Sequence, residues 1–281
     1  MKKMTGVDCE MKVQHIISTM NRVDFAFLQN MALQTDVLVV NQNQPARKEE
    51  LQLPQGVHVR VISTPEKGLS RSRNCLLENA EGDICIIGDD DVEYVEGYLD
   101  IIRAAYASHP DADIIVFRFT HKKGEETRLR YTKDLRMRMQ HISRAASVEV
   151  TFKREAVLKA GLRFNTYIGL GARFPSGEEN AFLADALRAG LKIYHVPVTI
   201  CVAEEESKIS QERPVSVYLT DMGASHHCIY KAWSPLYSLG FVLLRRKKFF
   251  PEVSAMKAFG YMLKGKRLYK QYVKENLCAS V

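Results

Sequence analysis

A regular alternation between short apolar runs and helix-length stretches, over the first 120 residues, constrains the fold of this chain more than any other feature. Residues 13–19, 36–41, 57–62, 83–87 and 113–119 read as strands from their β-branched and aliphatic content. Between them the pattern predicts helices over 24–34, 70–80 and 95–107, the second capped by Ser70 and closed by Gly82. Strands separated by helices of this length imply an α/β fold, with a mixed, mostly parallel sheet flanked by helices. In such sheets ligands bind beyond the carboxyl ends of the strands, so those ends are the places to search for function.

Further along, residues 121–144 mix both charge signs and give no clear pattern. A strand is expected over 147–152 and a short helix over 153–160, stopped by Gly161. A stretch containing Gly169, Gly171 and Gly177 leads into a helix over 178–189, ended by Gly190, and 191–202 is again strand-like. After Pro214 the pattern is helical, with a break expected at Ser234-Pro235. The expected division is a main domain over 1–230 and a basic, partly apolar helical extension over 231–281.

Composition enters where it excludes classes. With 46% apolar and 26% charged residues the chain is an ordinary globular protein. Its longest nearly apolar run, 236–244, is about half of the roughly 20 residues that span a bilayer. No apolar core follows the basic start at Lys2-Lys3, so a secretory leader is not expected and the cytoplasm is the expected location. Six scattered cysteines without a C-x-x-C pair suit small buried thiols in a reducing compartment. The net charge of +7 is unevenly held: residues 231–281 carry 11 Lys/Arg against two acids, which leaves the rest at −2. A nucleic-acid binder would spread that charge over its folded face, so no nucleic acid is expected as partner. A basic tail with apolar residues points instead to an anionic membrane surface.

Gly88-Asp89-Asp90-Asp91 follows directly on the strand at 83–87. Three adjacent carboxylates repel one another, and a hard divalent cation such as Mn2+ or Mg2+ would offset that repulsion. The plain alternative is a solvated turn before the next helix. Context favours the cation, because four segments in order resemble the family 2 glycosyltransferases, which have the GT-A, Rossmann-like nucleotide-diphospho-sugar transferase fold. Residues 16–22, with their polar end Thr19-Met20-Asn21-Arg22, resemble the family's opening segment. Gly68-Leu69-Ser70-Arg71-Ser72-Arg73-Asn74 is similar to its Gly-x-x-x-Ala-Arg-Asn stretch. Asp89-Asp90-Asp91 resembles the D-x-D metal motif, and Gly177-Glu178-Glu179-Asn180 is similar to the Glu-Asp motif that opens the acceptor-side helix.

The resemblance implies transfer of a sugar, with inversion, from a nucleotide-diphospho-sugar donor (UDP-sugar favoured) to a glycan or lipid-linked acceptor. Asp91, helped by Asp89, is expected to hold the metal. Thr19, Asn21, Asn41, Arg73, Asp89 and Asp90 are expected on the nucleotide-sugar, with Arg71 solvated. Glu179 is expected to be the general base, kept ionised by its helix N-terminus, and Glu178 to orient the acceptor. The loop at 169–174 is a candidate lid over the acceptor. Two departures from the family pattern stand out: Glu179 lies where Asp is frequent, and no His follows in 202–207, so the third metal ligand is unassigned unless His226 or His227 supplies it. Surface polysaccharide synthesis in bacteria is the expected setting. Competing expectations are a polyprenyl-phosphate sugar synthase and a catalytically silent partner in a membrane glycan assembly complex. A nucleotidyltransferase would want a glycine-rich loop after the first strand, which 18–22 lacks.

Overall fold

The computed structural model describes residues 11–121, 131–203, 213–249 and 252–278. In chain order the first half comprises β1 (Val13–Met20), β2 (Val37–Gln42), β3 (Arg47–Gln52), β4 (His58–Thr64), α1 (Leu69–Asn79), β5 (Ile84–Asp89), β6 (Val92–Tyr94), α2 (Tyr98–Ser108) and β7 (Ile114–His121). The second half adds β8 (Leu135–Arg136), β9 (Val150–Lys153), α3 (Arg154–Lys159), α4 (Glu178–Arg188), β10 (Ile193–Ala203), α5 (Val215–Tyr230), α6 (Ser234–Phe249) and α7 (Ala255–Cys278).

All ten strands join one mixed sheet in the order β3-β4-β2-β1-β5-β9-β7-β10-β6, with β8 pairing beside β10. The β4-β2-β1-β5 block is parallel. β9 runs antiparallel to both β5 and β7, while β10 returns parallel to β7. Successive residues of β1 point into opposite cores: Ile16 packs with α1, α4 and α5 residues, Ile17 with residues from 28–33 and α2. That is the two-residue repeat of a strand buried on both faces, and it explains why these strands read as unbroken apolar runs.

Several elements differ from the sequence expectation, each for a local reason. The helix expected over 24–34 is a 3-10 helix, Ala26–Met31, that buries Leu28 and Met31 three residues apart, the repeat of the tighter helix. The segment 42–56 holds β3, an antiparallel edge strand whose charged, mostly exposed residues guard the sheet edge. Ser70 does not cap α1; Gly68 does, at φ 121°, and the Ser70 hydroxyl donates to the Ile168 carbonyl oxygen at 2.7 Å. Residues 147–149 form a 3-10 turn before β9. The helical break falls at Lys231, which adopts φ 48°, so that Pro235 lies in the first turn of α6, where its missing N–H costs nothing.

The C-terminal helices are not a loose appendage. A Cβ added at Gly223 of α5 would overlap the Met262 carbonyl, and one at Gly265 of α7 the Thr220 carbonyl, so the two helices meet backbone to backbone. Tyr269 and Tyr272 of α7 also pack on Phe174. The helix α6 is divided: Ser234, Ser238 and Val242 are buried, while Trp233 just before it, Leu236, Leu239, Leu243 and Leu244 face outward. Among the described residues no helix is long and apolar enough to cross a membrane.

Candidate active site

The parallel block delivers the polar ends of β1, β2 and β5 to one crevice, where Ser18 lies opposite Asp89 and Thr19 opposite Asn41. The three adjacent aspartates separate there. Asp89 accepts from Arg73 at 3.1 Å on one oxygen and from the Ser147 hydroxyl at 2.8 Å on the other. Asp90 accepts from the Thr19 hydroxyl at 2.5 Å and pairs with Arg22 at 2.8 Å. Asp91 is exposed in the turn between β5 and β6. Two arginines therefore offset much of the repulsion that had suggested a cation.

Arg73 is the centre of the arrangement. It is 1% exposed, rests over the Phe164 ring at 5.6 Å, and reaches Glu178 at 3.0 Å as well as Asp89. Burial works against its charge, but Asp89, Glu178 and Glu179 together outweigh that and hold the guanidinium above its ordinary value. Glu178 and Glu179 open α4, where Gly177 takes φ 82° and its missing Cβ leaves room for Ser225. Glu178 turns inward to Arg73. Glu179 accepts from Asn180 at 2.9 Å. Desolvation first, then the neighbouring Glu178, pushes its carboxyl well above the ordinary range, against the weaker pull of Arg73. Burial thus opposes the stabilisation of the ionised form expected from the helix N-terminus.

The expected nucleotide contacts divide. Thr19 and Asn21 stand at the end of β1, Asn21 at φ 59° with its side-chain Oδ1 accepting from the Asn43 amide at 2.5 Å. Asn41 is buried, and its amide both accepts from the Arg22 N–H and donates to the Arg22 carbonyl, so it shapes the crevice by bracing the chain after β1. Sequence reasoning missed Ser147, which lies 58 residues from Asp89 and carries no motif, and the pairing role of Arg22, which its place in the polar strand end does signal.

Among the described residues no three His, Cys, Asp or Glu side chains converge as a metal cage. The donor chemistry nonetheless fits a magnesium-like ion held by an exposed carboxylate, Asp91, plus substrate phosphates and water, the mode such ions prefer. Both oxygens of Asp89 are occupied by Arg73 and Ser147. His226 is buried against Ser238, with its pKa lowered to about 4 by burial, and His227 contacts the Lys231 carbonyl; both serve the junction between α5 and α6. Residues 204–207, the other stretch considered for a third ligand, lie outside the described residues. The loop considered as a lid meets the start of α1, with Leu69 N–H donating to Leu170 O at 2.9 Å.

The sequence model of glycosyl transferase family 2 matches residues 25–166, half of the chain and both the Arg73 and the Asp89–Asp91 segments. The chain belongs to the family 2 glycosyltransferases. No curated protein matches its sequence. Among solved structures, this glycosyltransferase is similar to S. aureus TarS 1-349 at 15% identity and TM-score 0.61, covering 91% of this chain and 81% of that one. The TarS 1-349 structure in complex with UDP-GlcNAc aligns with TM-score 0.62 at the same identity and coverage. At that identity the likeness is one of fold, and it agrees with the mixed sheet flanked by helices described above.

Proposed function

We propose that this glycosyltransferase moves a sugar from a UDP-sugar to an acceptor hydroxyl with inversion, in the synthesis of a bacterial surface polysaccharide. The observation that carries the reading is the Arg73 arrangement, in which one buried cation ties the acidic end of β5 to the acidic start of α4. A UDP-GlcNAc complex of the structurally similar TarS favours the uridine donor. In this reading the nucleotide lies across the ends of β1 and β2, beside Thr19 and Asn21. Asp91 would hold Mn2+ or Mg2+, and that cation, when bound, supplies neutralisation of the leaving diphosphate. Arg73 keeps Asp89 and Glu178 fixed in position. Glu179 takes the proton of the attacking hydroxyl; its raised pKa makes it a stronger base once it has released its own proton.

Calorimetry with UDP and Mn2+ tests the donor side. Asp91→Asn is expected to abolish the metal-dependent part of UDP binding while the fold is kept, since this carboxylate is exposed. Unchanged metal-dependent affinity removes Asp91 from the site. Nucleotide release from a UDP-sugar separates an enzyme from a silent partner, and the acceptor that accelerates release separates a glycan transferase from a polyprenyl-phosphate sugar synthase.

The same reading includes peripheral attachment to the cytoplasmic face of an anionic membrane, where lipid-linked acceptors are met. Its support is the outward apolar set Leu236, Tyr237, Leu243 and Leu244 on α6, with Trp233 just before the helix. Arg245 and Arg246 follow, exposed, directly after Leu244. Apolar side chains flanked by cations suit the headgroup boundary.

A further inference from the structure

A cavity of about 140 Å³ lies between the start of α1, the loop at 166–173 and the last third of α7. Lys67, Arg71 and Arg173 line it together with Thr166, Tyr167 and Tyr272, and no carboxylate is among its walls. The three cations are exposed, and none has an ion-pair partner within 4 Å among the described residues. Arg173 is set by the ring of its neighbour Phe174 at 5.0 Å, and the nearby Asp221 pairs with Arg213 at 3.6 Å while also attracting Arg173. Three like charges around so small a space repel one another, and only Asp221, outside the cavity walls, attracts Arg173 from further off.

The cavity's other features fit an oxyanion. The α1 helix, of 11 residues, starts at Gly68 on the cavity wall; its first N–H groups, at Gly68 and Leu69, donate to Gln42 and Leu170, so the cations rather than the helix end would meet the anion. Guanidinium forks match phosphate oxygens in pairs. At 140 Å³ the space is well below the roughly 300 Å³ of a small-molecule site, so it takes one group of a larger ligand. Tyr167 and Tyr272 meet edge to face at 5.8 Å, and their rings offer apolar faces for the part of the ligand that carries the charge.

The loop that walls this cavity also abuts the acidic start of α4. A Cβ at Gly169 would lie 2.8 Å from the Ser70 hydroxyl and 3.1 Å from Glu178, and one at Gly171 would lie 3.1 Å from Gly68. The cavity and the glutamates thus stand on either side of one loop. We propose that the Lys67–Arg71–Arg173 cavity is an acceptor subsite that binds a phosphate group carried by the acceptor. This rests on the reading of Glu179 as the acceptor-side base. The acceptor class is then a phosphorylated glycan or a phosphate-linked lipid, in place of a neutral sugar chain.

Calorimetric titration of the full chain with glucose 1-phosphate, and with glucose as the neutral control, tests it with and without saturating UDP. The sugar phosphate is expected to bind in both conditions and glucose in neither. Arg173→Gln and Lys67→Gln should each weaken binding about tenfold, the usual loss for a charge-assisted contact, while Lys257→Gln, an exposed lysine of α7, leaves it unchanged. In transfer assays the first two variants should raise the acceptor KM at constant donor KM. Displacement of the sugar phosphate by UDP would assign the cavity to the donor diphosphate and overturn the proposal. So would an equal loss in Lys257→Gln, or no binding at all. Arg173-dependent binding in a chain that never binds UDP would uphold an oxyanion site and sink the glycosyltransfer reading, so the two failures are distinct.

Discussion

Removing Arg73 leaves Glu178 buried without its cation and Asp89 without one of its two partners. Arg73→Gln is therefore expected to cost about 3 kcal/mol or more, read as a lower urea midpoint, because an unpaired buried charge is expensive. A loss below about 1 kcal/mol would mean that water reaches Glu178 as easily as it reaches a surface acid. Glu179 gives a prediction with a sign. Its carboxyl is raised in the folded state, so as pH climbs past the ordinary carboxyl range the unfolded chain ionises first and the protein loses stability until the folded carboxyl follows. Glu179→Gln lacks that loss, and its melting temperature should gain on the wild type between acidic and neutral pH. The same variant should lose about 10²- to 10⁴-fold in transfer and lose the acid limb of the pH–rate profile. Melting curves that stay parallel at all pH values would contradict the raised carboxyl. At this scale the sequence was informative about which acids gather and silent about their partners. Asp89 and Glu178 announce themselves in motifs, but the hydroxyl of Ser147 comes from a segment that reads only as strand.

The elements were legible wherever burial set the pattern. The strands β1, β2, β5 and β7 are apolar runs because both faces are covered, while β4 alternates, with one face buried. The strand β3 escaped notice because an edge strand of Arg, Lys and Glu looks like a loop, and β6 because three residues are too few to show alternation. The glycines of the C-terminal helices were equally silent: nothing in the local sequence says that Gly223 and Gly265 face a neighbouring backbone. Gly265→Ala must push α7 away from α5, and overpacking of this kind costs roughly 1–3 kcal/mol. A melting temperature unchanged in Gly265→Ala would refute the close approach. Gly260, with open space around its Cβ position, is the matched control and should tolerate alanine.

For the molecule as a whole, the excess positive charge sits on the same C-terminal helices that present an outward apolar set. Liposome co-sedimentation should find binding that needs anionic lipid and falls with salt, each cation near the surface adding roughly 1 kcal/mol. Leu243→Ser with Leu244→Ser should weaken it without changing the melting temperature, because both side chains are already exposed. Equal partitioning onto neutral and anionic vesicles, or none onto either, would exclude the attachment. The buried Arg73 has a consequence of another kind, for how such a chain can change over generations. It joins residues 16 and 105 positions away, at the end of β5 and the start of α4. Substitutions at Asp89 and at Glu178 will therefore not act independently: the second will be more or less tolerable depending on whether the first has already occurred. If the proposed site is right, donor preference and acceptor preference, written in distant parts of the gene, are obliged to drift together.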